Sequence, residues 1–374
     1  MSHTSSANND NNFEHSLPLF WPCAAAVKMG EVGLKLLSDN LRFVTEVEAI
    51  TSPHRSTWAT KNTVLLDLDT MLLRDFSEPG SSAVPVLIDA PYAGHSATIA
   101  DYDKGQSLVE TLKQSGLQRI FVTDWKPATD AMKQFDIDKY LAELNVVVDE
   151  LGGKVHLVGL CQGGWLSAMY AARYPAKVRS IVLAGAPIDT QAGDGPLKKM
   201  VQSLPANFYA DMVQLGHGRM LGKTMLAGWK GMNPGDQYLQ KYVDLYQHID
   251  DDKYLNRTEL FEGWYENPVD LPGTYYLQII EQLFKANHFF HHKFIGLGKL
   301  LWLKDICCPA YLLAGDADDI TPHQQVFAAE TALGTPAANI VKELVPGGHI
   351  GLFMGKKTLQ EHWTKIGSWI LAQD

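Results

Sequence analysis

The sequence predicts an α/β fold with a mostly parallel central sheet, helices on both of its faces and a helical cap insertion. Strand-like and helix-like stretches alternate up to about residue 186 and again after residue 305, and the strand-like runs are continuously apolar. Continuous apolar strands joined by helices are typical of a parallel sheet that is covered on both faces. Between these two parts the alternation stops, which predicts an insertion between two core strands.

The elements follow one another along the chain. The stretch TVLLDLDTMLLRDF alternates like the two strands of a hairpin. Apolar runs predict further strands at 84–89, 120–125, 154–160, 178–185, 310–315 and 340–345. Helical spacing predicts helices over 22–44, 101–115, 136–152, 163–174, 323–333 and 356–372, with Asp136 as the cap of the third.

These elements divide the 374 residues into four parts. Residues 1–15 are polar and low in complexity, as expected of a disordered tail, and 16–60 form an N-terminal helical segment. The core consists of 61–186 and 306–374, and 187–305 form a helical cap rich in aromatic residues. Such a cap either has a small core of its own or acts as a lid that binds an apolar substrate.

Composition limits the class of protein. The chain is 46% hydrophobic and 20% charged, which is ordinary for a globular protein, and its net charge of −10 argues against nucleic acid as a partner. The four cysteines, with Cys307 and Cys308 adjacent, show no zinc-type spacing and favour the cytoplasm. The longest uncharged N-terminal run, residues 16–27, is too short for a membrane span and lacks the features of a signal peptide.

The stretch LVGLCQGGW is the strongest chemical signal in the sequence. It places Cys161 between an apolar strand and a helix, with Gly159 and Gly163 two residues away on either side. Small residues at these positions are what the sharp turn of a nucleophile elbow requires. A cysteine at a helix N-terminus has its thiolate stabilised by the helix dipole, and a histidine would supply the base. The alternative for Cys161 is a buried structural thiol.

An elbow of this kind belongs to the α/β-hydrolase fold, in which the acid and the histidine follow the nucleophile along the chain. The stretch LLAGDADDITP follows a strand and its spacing selects Asp318, while Asp316 and Asp319 stay open as alternatives. The stretch LVPGGHIGLF follows the next strand and carries His349. We predict that Cys161 attacks a carbonyl carbon, that His349 takes the thiol proton, and that Asp318 orients the imidazole.

Further residues are candidates for binding. Two backbone N–H groups must stabilise the oxyanion, and we expect them from Gln162 and Tyr92, since Pro91 has no N–H. Candidate substrate contacts are His95, Trp165, Trp264 and Tyr276. The alternative for His95 is a structural loop histidine. The histidine-rich stretch NHFFHH lacks acidic or cysteine ligands at useful spacing, so neither a metal nor another cofactor is expected.

Residues 20–372 resemble two related enzyme families. Polyhydroxyalkanoate synthases are similar in the segments LVGLCQGGWLSAMYAARYPAKVRSIVLAGAPID, LKDICCPAYLLAGDADDITP and PGGHIGLF. Intracellular polyhydroxyalkanoate depolymerases, which also use a cysteine nucleophile on this fold, are more similar in APYAGHSATIADY, TDW, AGAPIDT, MNPGDQY and LPGTYYLQIIEQLF. There are departures: a synthase would be expected to have histidine at Asp319, and a depolymerase to lack the pair Gly163-Gly164.

The resemblance implies a polyester or a hydroxyacyl-coenzyme A as substrate, the same roles for Cys161, Asp318 and His349, and contact with storage granules. Both families pass through an acyl-thioester, which is then attacked by water in hydrolysis or by a hydroxyacyl end in polymerisation. The cap and the GHSAT loop favour a depolymerase, with a synthase as the alternative. Other cysteine-dependent ester hydrolases or acyltransferases and a non-catalytic granule-binding protein also stay open, and a homodimer is one option for the oligomeric state.

A synthase would also need basic residues for the phosphates of coenzyme A. Candidates are Lys198, Lys199, Arg219 and Lys223. Their alternative role is to solvate the surface of a helix.

Overall fold

The computed structural model describes residues 31–51, 56–205, 207–232 and 240–374. They form two compact units: the smaller unit contains 31–51 and 240–266, and the larger unit contains the rest. The predicted tail, residues 1–15, and the first part of the predicted N-terminal helical segment lie outside the described residues.

Within the described residues, the larger unit is built on an eight-stranded sheet. Its strands are β1 (Thr63–Asp67), β2 (Met71–Asp75), β3 (Val86–Asp89), β4 (Ile120–Trp125), β5 (Val155–Leu160), β6 (Val178–Ala184), β7 (Ala310–Gly315) and β8 (Ile340–Val345). The spatial order is β1-β2-β4-β3-β5-β6-β7-β8. Strands β1 and β2 pair antiparallel, β2 and β4 do the same, and all later pairs are parallel. This is the mostly parallel sheet that the sequence predicts.

The central strands owe their composition to burial. Every residue of β3, β5 and β7 is buried, so these strands carry apolar side chains on both faces instead of alternating. In an open parallel sheet, the loops that follow the carboxyl ends of the strands meet at one edge, where such folds bind ligands. The predicted oxyanion loop, Cys161, Asp318 and His349 follow β3, β5, β7 and β8 in that order.

Helices connect and flank these strands. In the larger unit they are Leu108–Gln114, Ile137–Glu150, Gln162–Arg173, Pro196–Ser203, Phe208–Leu215, Gly222–Met232, Gly273–Gln278, His323–Phe327, Ala329–Ala332, Gly351–Met354, Lys356–Thr358 and Thr364–Leu371, with π-helical segments at Ile279–Lys285 and Leu359–Trp363. In the smaller unit they are Glu31–Thr51, Lys241–Gln247 and Asp252–Tyr265. Short two-stranded ribbons pair Asp101–Asp103 with Gln106–Ser107, Arg219–Met220 with Leu271–Pro272, and Ile295–Gly296 with Lys299–Leu300.

Two predicted helices differ from the structure. The helix predicted over 101–115 is wrong in its first half, because Gly105, at φ +76°, makes a tight turn within a short ribbon. The helix then starts at Leu108, where the Ser107 side chain accepts a hydrogen bond from the Glu110 N–H at 2.8 Å. The helix predicted over 22–44 is observed at Glu31–Thr51, and its first residues lie outside the described part of the chain.

The predicted cap, residues 187–305, contributes to both units. Residues 240–266 belong to the smaller unit, and 187–232 and 267–305 belong to the larger one. In the larger unit, the cap helices share a small apolar cluster whose buried members are Leu197, Val201, Tyr209 and Ile280. The cap helices of the larger unit therefore supply apolar surface for the region beyond the sheet edge.

Candidate active site

Cys161 lies in a sharp turn between β5 and the helix Gln162–Arg173. Its backbone is left-handed, with φ 51° and ψ −116°, which is uncommon for a residue other than glycine and costs conformational energy. Two hydrogen bonds hold the turn: the Cys161 N–H donates to the Ala184 carbonyl at 2.8 Å, and the Gly164 N–H donates to the Cys161 carbonyl at 2.9 Å. This is the strained geometry that exposes the side chain of a nucleophile elbow.

The glycines around the turn are required by close packing. A Cβ on Gly163 would lie 2.0 Å from the Asp89 carbonyl oxygen at the end of β3. A Cβ on Gly159 would lie 2.4 Å from the Cα of Gly164. Larger residues at either position would push the helix away from the sheet, so Cys161 could not keep its place at the strand ends.

Asp318 and His349 are brought together by the loops that follow β7 and β8. The Nδ1 of His349 lies 2.7 Å from the Oδ2 of Asp318, whose side chain is fully buried. The other carboxylate oxygen, Oδ1, accepts hydrogen bonds from the backbone N–H groups of Ile320 at 3.0 Å and Thr321 at 2.8 Å. These bonds fix the carboxylate before any ligand binds.

The structure distinguishes among the three aspartates that the sequence offers as the acid. Asp316 is exposed, and its Oδ1 accepts a hydrogen bond from the Gly347 N–H at 2.9 Å. Asp319 is also exposed. Asp318 is the aspartate that contacts His349, so the geometry favours it as the acid.

The environment of His349 favours its protonated form. Burial lowers the pKa of His349, but the charges of Cys161 and Asp318 and their hydrogen bonds to the ring raise it more, so the pKa stands well above its ordinary value. Cys161 and Asp318 are thus the two acidic groups that influence the imidazole. The ring also packs edge-on against Phe353, at 5.3 Å between centroids and an angle of 87°. The arrangement suits an ion pair of thiolate and imidazolium.

A cavity of about 720 Å³ opens beside Cys161. Its volume is in the range of pockets that bind small molecules. Cap residues supply most of its lining, and the apolar ones include Leu197, Met200, Val201, Leu204, Phe208, Met212, Met220, Met225, Trp229, Leu271, Ile279, Ile280 and Phe284. Of the predicted contacts, Gln162, Trp165 and Tyr276 also line it. An apolar chain could therefore lie next to the sulfur.

Other predicted contacts are elsewhere. His95 is half-buried in the loop after β3 and does not line the cavity. Trp264 belongs to the helix Asp252–Tyr265 of the smaller unit, whereas the residues that line the cavity all belong to the larger unit. The Tyr92 ring is buried in the core, where its hydroxyl donates to the Lys126 carbonyl at 2.9 Å.

The predicted oxyanion donors are the backbone N–H groups of Tyr92 and Gln162, not the Tyr92 ring. Across the described part of the chain, neither the Tyr92 N–H nor the Gln162 N–H donates a hydrogen bond. The adjoining residue Ala93 lines the cavity together with Cys161 and Gln162. Gln162 lines the cavity and Tyr92 does not, so the oxyanion role of these two N–H groups stays a prediction.

The family described as Protein of unknown function (DUF3141) matches residues 73–368 of this chain. The chain belongs to this family. Among its relatives is the poly(3-hydroxyalkanoate) polymerase subunit PhaC of Allochromatium vinosum, 27% identical over 343 residues, which are 89% of this chain and 92% of the relative. The protein of the same name from Thiocystis violacea is 26% identical over the same shares of both chains.

Solved structures confirm the fold of this DUF3141 protein. A monoacylglycerol lipase of Paleococcus ferrophilus has a TM-score of 0.51 at 18% identity, covering 81% of this chain and 99% of its own. A carboxylesterase of Nitrososphaera gargenis has a TM-score of 0.51 at 16% identity, covering 82% and 98%. The predicted α/β-hydrolase fold is confirmed, and the chain lies in the superfamily of polyhydroxyalkanoate synthases and α/β-hydrolases.

The basic residues considered for coenzyme A divide into two pairs. Lys198 donates to two backbone carbonyls at 2.7 and 2.9 Å, and Arg219 forms an ion pair with Asp270 at 3.1 Å. Lys199 and Lys223 are exposed. Lys198 and Arg219 therefore already have partners within this DUF3141 protein.

The described residues show neither a metal site nor a membrane-spanning helix. They contain no group of three or more His, Cys, Asp or Glu side chains that could hold a metal ion. None of the helices in the same part of the chain is both long enough and apolar enough to span a membrane.

The sequence patterns do not single out Thr321, whose hydroxyl oxygen lies 3.0 Å from the Nδ1 of His349. A signal for it exists in DADDITP. An aspartate whose side chain binds the N–H groups two and three residues later forms a compact turn, which brings the third residue back towards the carboxylate. Thr321 is that third residue after Asp318.

Proposed function

We propose that the chain is a polyhydroxyalkanoate synthase-like acyltransferase that polymerises 3-hydroxyacyl-coenzyme A through a thioester on Cys161. The main support is Cys161 itself, on a strained elbow, beside the His349–Asp318 pair and in the wall of an apolar cavity of about 720 Å³. The cap and the GHSAT loop favoured hydrolysis, but relatives named as polymerase subunits align over 89% of the chain, which supports polymerisation.

In the first step, the acyl group passes from coenzyme A to the protein. His349 takes the thiol proton, and the Cys161 sulfur attacks the thioester carbonyl carbon. The backbone N–H groups of Gln162 and Tyr92 stabilise the negative charge on the carbonyl oxygen. The bond to the coenzyme A sulfur then breaks, and this sulfur leaves with the proton from His349.

In the second step, the chain grows by one unit. The hydroxyl group of another hydroxyacyl chain gives its proton to His349 and attacks the thioester carbon on Cys161. An ester bond forms, and the Cys161 sulfur leaves and recovers the proton. Water in place of the hydroxyl group would give hydrolysis. The apolar lining of the cavity disfavours water and accommodates the growing chain.

This function has consequences for partners and location. The substrate is a hydroxyacyl-coenzyme A and the product is a water-insoluble polyester. The protein would therefore work at the surface of storage granules in the cytoplasm. No cofactor takes part in either step.

The direct test uses two substrates. The protein is incubated with 3-hydroxybutyryl-coenzyme A and, separately, with amorphous polyhydroxybutyrate, with Cys161→Ala as the control for both. Free coenzyme A together with polymer is expected. Release of soluble hydroxy acids from the polyester, without polymer from the thioester, would contradict the proposal and indicate a depolymerase.

A further inference from the structure

We propose that Thr321 is a positioning residue, which holds His349 in the tautomer and orientation needed to accept the proton of Cys161. The inference depends on the proposed function only in that it takes Cys161 and His349 as the reacting pair. It does not depend on which substrate the pair attacks.

The hydroxyl group of Thr321 lies among three polar atoms. Its oxygen is 2.9 Å from the Gly185 carbonyl oxygen, 3.0 Å from the Asp318 Oδ2 and 3.0 Å from the His349 Nδ1. Thr321 is 1% exposed, so water does not compete for these contacts. All three partners belong to different loops at the sheet edge, which Thr321 therefore joins.

Counting protons fixes the direction of these bonds. A threonine hydroxyl has one proton and two lone pairs. The carbonyl oxygen of Gly185 and the carboxylate of Asp318 accept only, so one of them receives the proton of Thr321. The contact with His349 is then made by the Nδ1–H, which is shared between Asp318 at 2.7 Å and Thr321 at 3.0 Å.

This pattern sets the tautomer of the ring. With the proton on Nδ1 held by two acceptors, the Nε2 of His349 is left free to take the thiol proton. The contacts with Gly185 and Asp318 determine where the Thr321 oxygen lies, and the ring packs close to Gly185, where an added Cβ would lie 3.2 Å from the Cε1 of His349. Neither the tautomer nor the ring angle depends on Asp318 alone.

A purely structural role for Thr321 would have different consequences for the reactivity of Cys161. In that case the Thr321 hydroxyl would only satisfy the buried Gly185 carbonyl, and its loss would weaken the fold without changing the chemistry of Cys161. The two roles predict different pH profiles for the reactivity of the thiol. They can therefore be distinguished without a polymerisation assay.

The experiment compares Thr321→Val, which removes the hydroxyl group and keeps the branched shape, with Thr321→Ser, which keeps the hydroxyl group. Alkylation of Cys161 by iodoacetamide is followed across pH in a Cys307→Ser background, because Cys307 is exposed. Without the second acceptor the imidazolium is less stable, so in Thr321→Val the midpoint of alkylation shifts to higher pH. The kcat for coenzyme A release falls about tenfold at unchanged KM, as expected for one hydrogen bond to a charged group.

The conservative variant and a matched control complete the test. Thr321→Ser is expected to stay within about twofold of the parent in kcat and to keep its pH midpoint, since the hydroxyl group remains. Thr335→Val removes another buried threonine hydroxyl, which donates to the Cys308 carbonyl at 2.6 Å, and should leave both quantities unchanged. If Thr321→Val does not fold, Thr321→Ala takes its place.

A parent-like pH midpoint in Thr321→Val would overturn the inference. So would a serine variant as impaired as the valine variant, or the same shift in Thr335→Val. If the parent protein makes no polymer, the proposed function fails, but the alkylation profiles still decide the role of Thr321.

Discussion

Two histidines of the larger unit contact a carboxylate, yet their pKa values shift in opposite directions. The Nδ1 of His349 lies 2.7 Å from Asp318. The Nε2 of His156 lies 2.9 Å from Asp374, and its Nδ1 lies 2.8 Å from the Ser180 hydroxyl oxygen. The pKa of the first histidine is raised and that of the second is lowered.

The surroundings of His156 explain the lower value. Burial disfavours its charged form, and this effect on the pKa outweighs the hydrogen bond and the charge of Asp374. The Asp374 side chain is 36% exposed, so water screens its charge. The cations Arg179 and Lys154 lower the pKa further. His156 is therefore expected to stay neutral and structural at pH 7.

The surroundings of His349 differ in two respects. The carboxylate of Asp318 is fully buried and held by backbone N–H groups, so its charge is poorly screened. Cys161 is a second acidic group that acts on the ring, and its negative charge, when the thiol is deprotonated, raises the pKa of His349. A carboxylate contact is thus not enough to make a base: a buried carboxylate and a nearby second acid are also needed.

The largest effect is expected from Cys161→Ala. Coenzyme A release should fall by at least about 10³-fold, as for the loss of a nucleophile in comparable triads. Because one negative charge beside His349 is lost, the pKa of this histidine should also fall, towards the low value of His156. Enzyme assays and histidine NMR titration measure the two effects. A variant that retains turnover would show that Cys161 is not the nucleophile.

Exchanging each carboxylate for an amide tests the comparison directly. Asp318→Asn should lower kcat by about 10³-fold or more, because the amide favours the wrong tautomer of His349. Asp374→Asn, the matched change beside His156, should leave kcat within about twofold, since uncharged His156 takes no part in the chemistry. Asp316→Asn serves as a control in the same loop. Comparable losses in Asp318→Asn and Asp374→Asn would remove the distinction between the two histidines.

The two histidines should also affect stability at opposite ends of the pH range. Since folding raises the pKa of His349, its contribution is complete below about pH 6.5 and is lost as the pH rises through the higher pKa of the folded state. Since folding lowers the pKa of His156, its contribution is complete above about pH 6.5 and is lost as the pH falls towards the lower folded value.

Urea unfolding across pH measures these contributions. His349→Gln should flatten the loss of stability on the alkaline side, and His156→Gln the loss on the acid side. The reverse assignment, or the same slope change in both variants, would show that the two environments do not differ as described.

The smallest effect is expected from a substitution beside His156, which should change stability but not kcat. Ser180→Ala removes the hydroxyl group next to the Nδ1 of His156, in the position that Thr321 occupies beside His349. We expect the free energy of unfolding to fall by about 1 kcal/mol with kcat unchanged, because the hydrogen bond is buried but structural. Urea unfolding and the coenzyme A assay check both parts, and a tenfold loss of kcat would link His156 to the reaction.

The sequence was sufficient to predict an element of the fold where one local pattern determined its structure. Apolar runs located the core strands, and the small residues around Cys161 indicated the elbow, because Gly163 meets the Asp89 carbonyl with no room for a Cβ. It failed at residues 101–107, where helical spacing concealed the turn at Gly105. Periodicity does not show the sign of φ at a single residue.

Other features depended on contacts between distant parts of the chain. Three aspartates follow β7 within four residues, and only the three-dimensional structure shows that the carboxylate of Asp318 turns inward to His349. The cavity is lined by apolar residues that resemble any core residue in the sequence. Trp264, one of the cap aromatics predicted to contact the substrate, lies in the smaller unit, whereas the residues that line the cavity belong to the larger one. Aromatic content alone does not locate a binding residue.

The central claim is that the acyl group is transferred to Cys161. Brief incubation with 3-hydroxybutyryl-coenzyme A, acid quenching and peptide mass spectrometry would show where the acyl group is bound. The account predicts a hydroxybutyryl adduct on the peptide that contains Cys161, and none there in Cys161→Ala. Release of coenzyme A with the adduct on another residue, or with no adduct at any time, would contradict it.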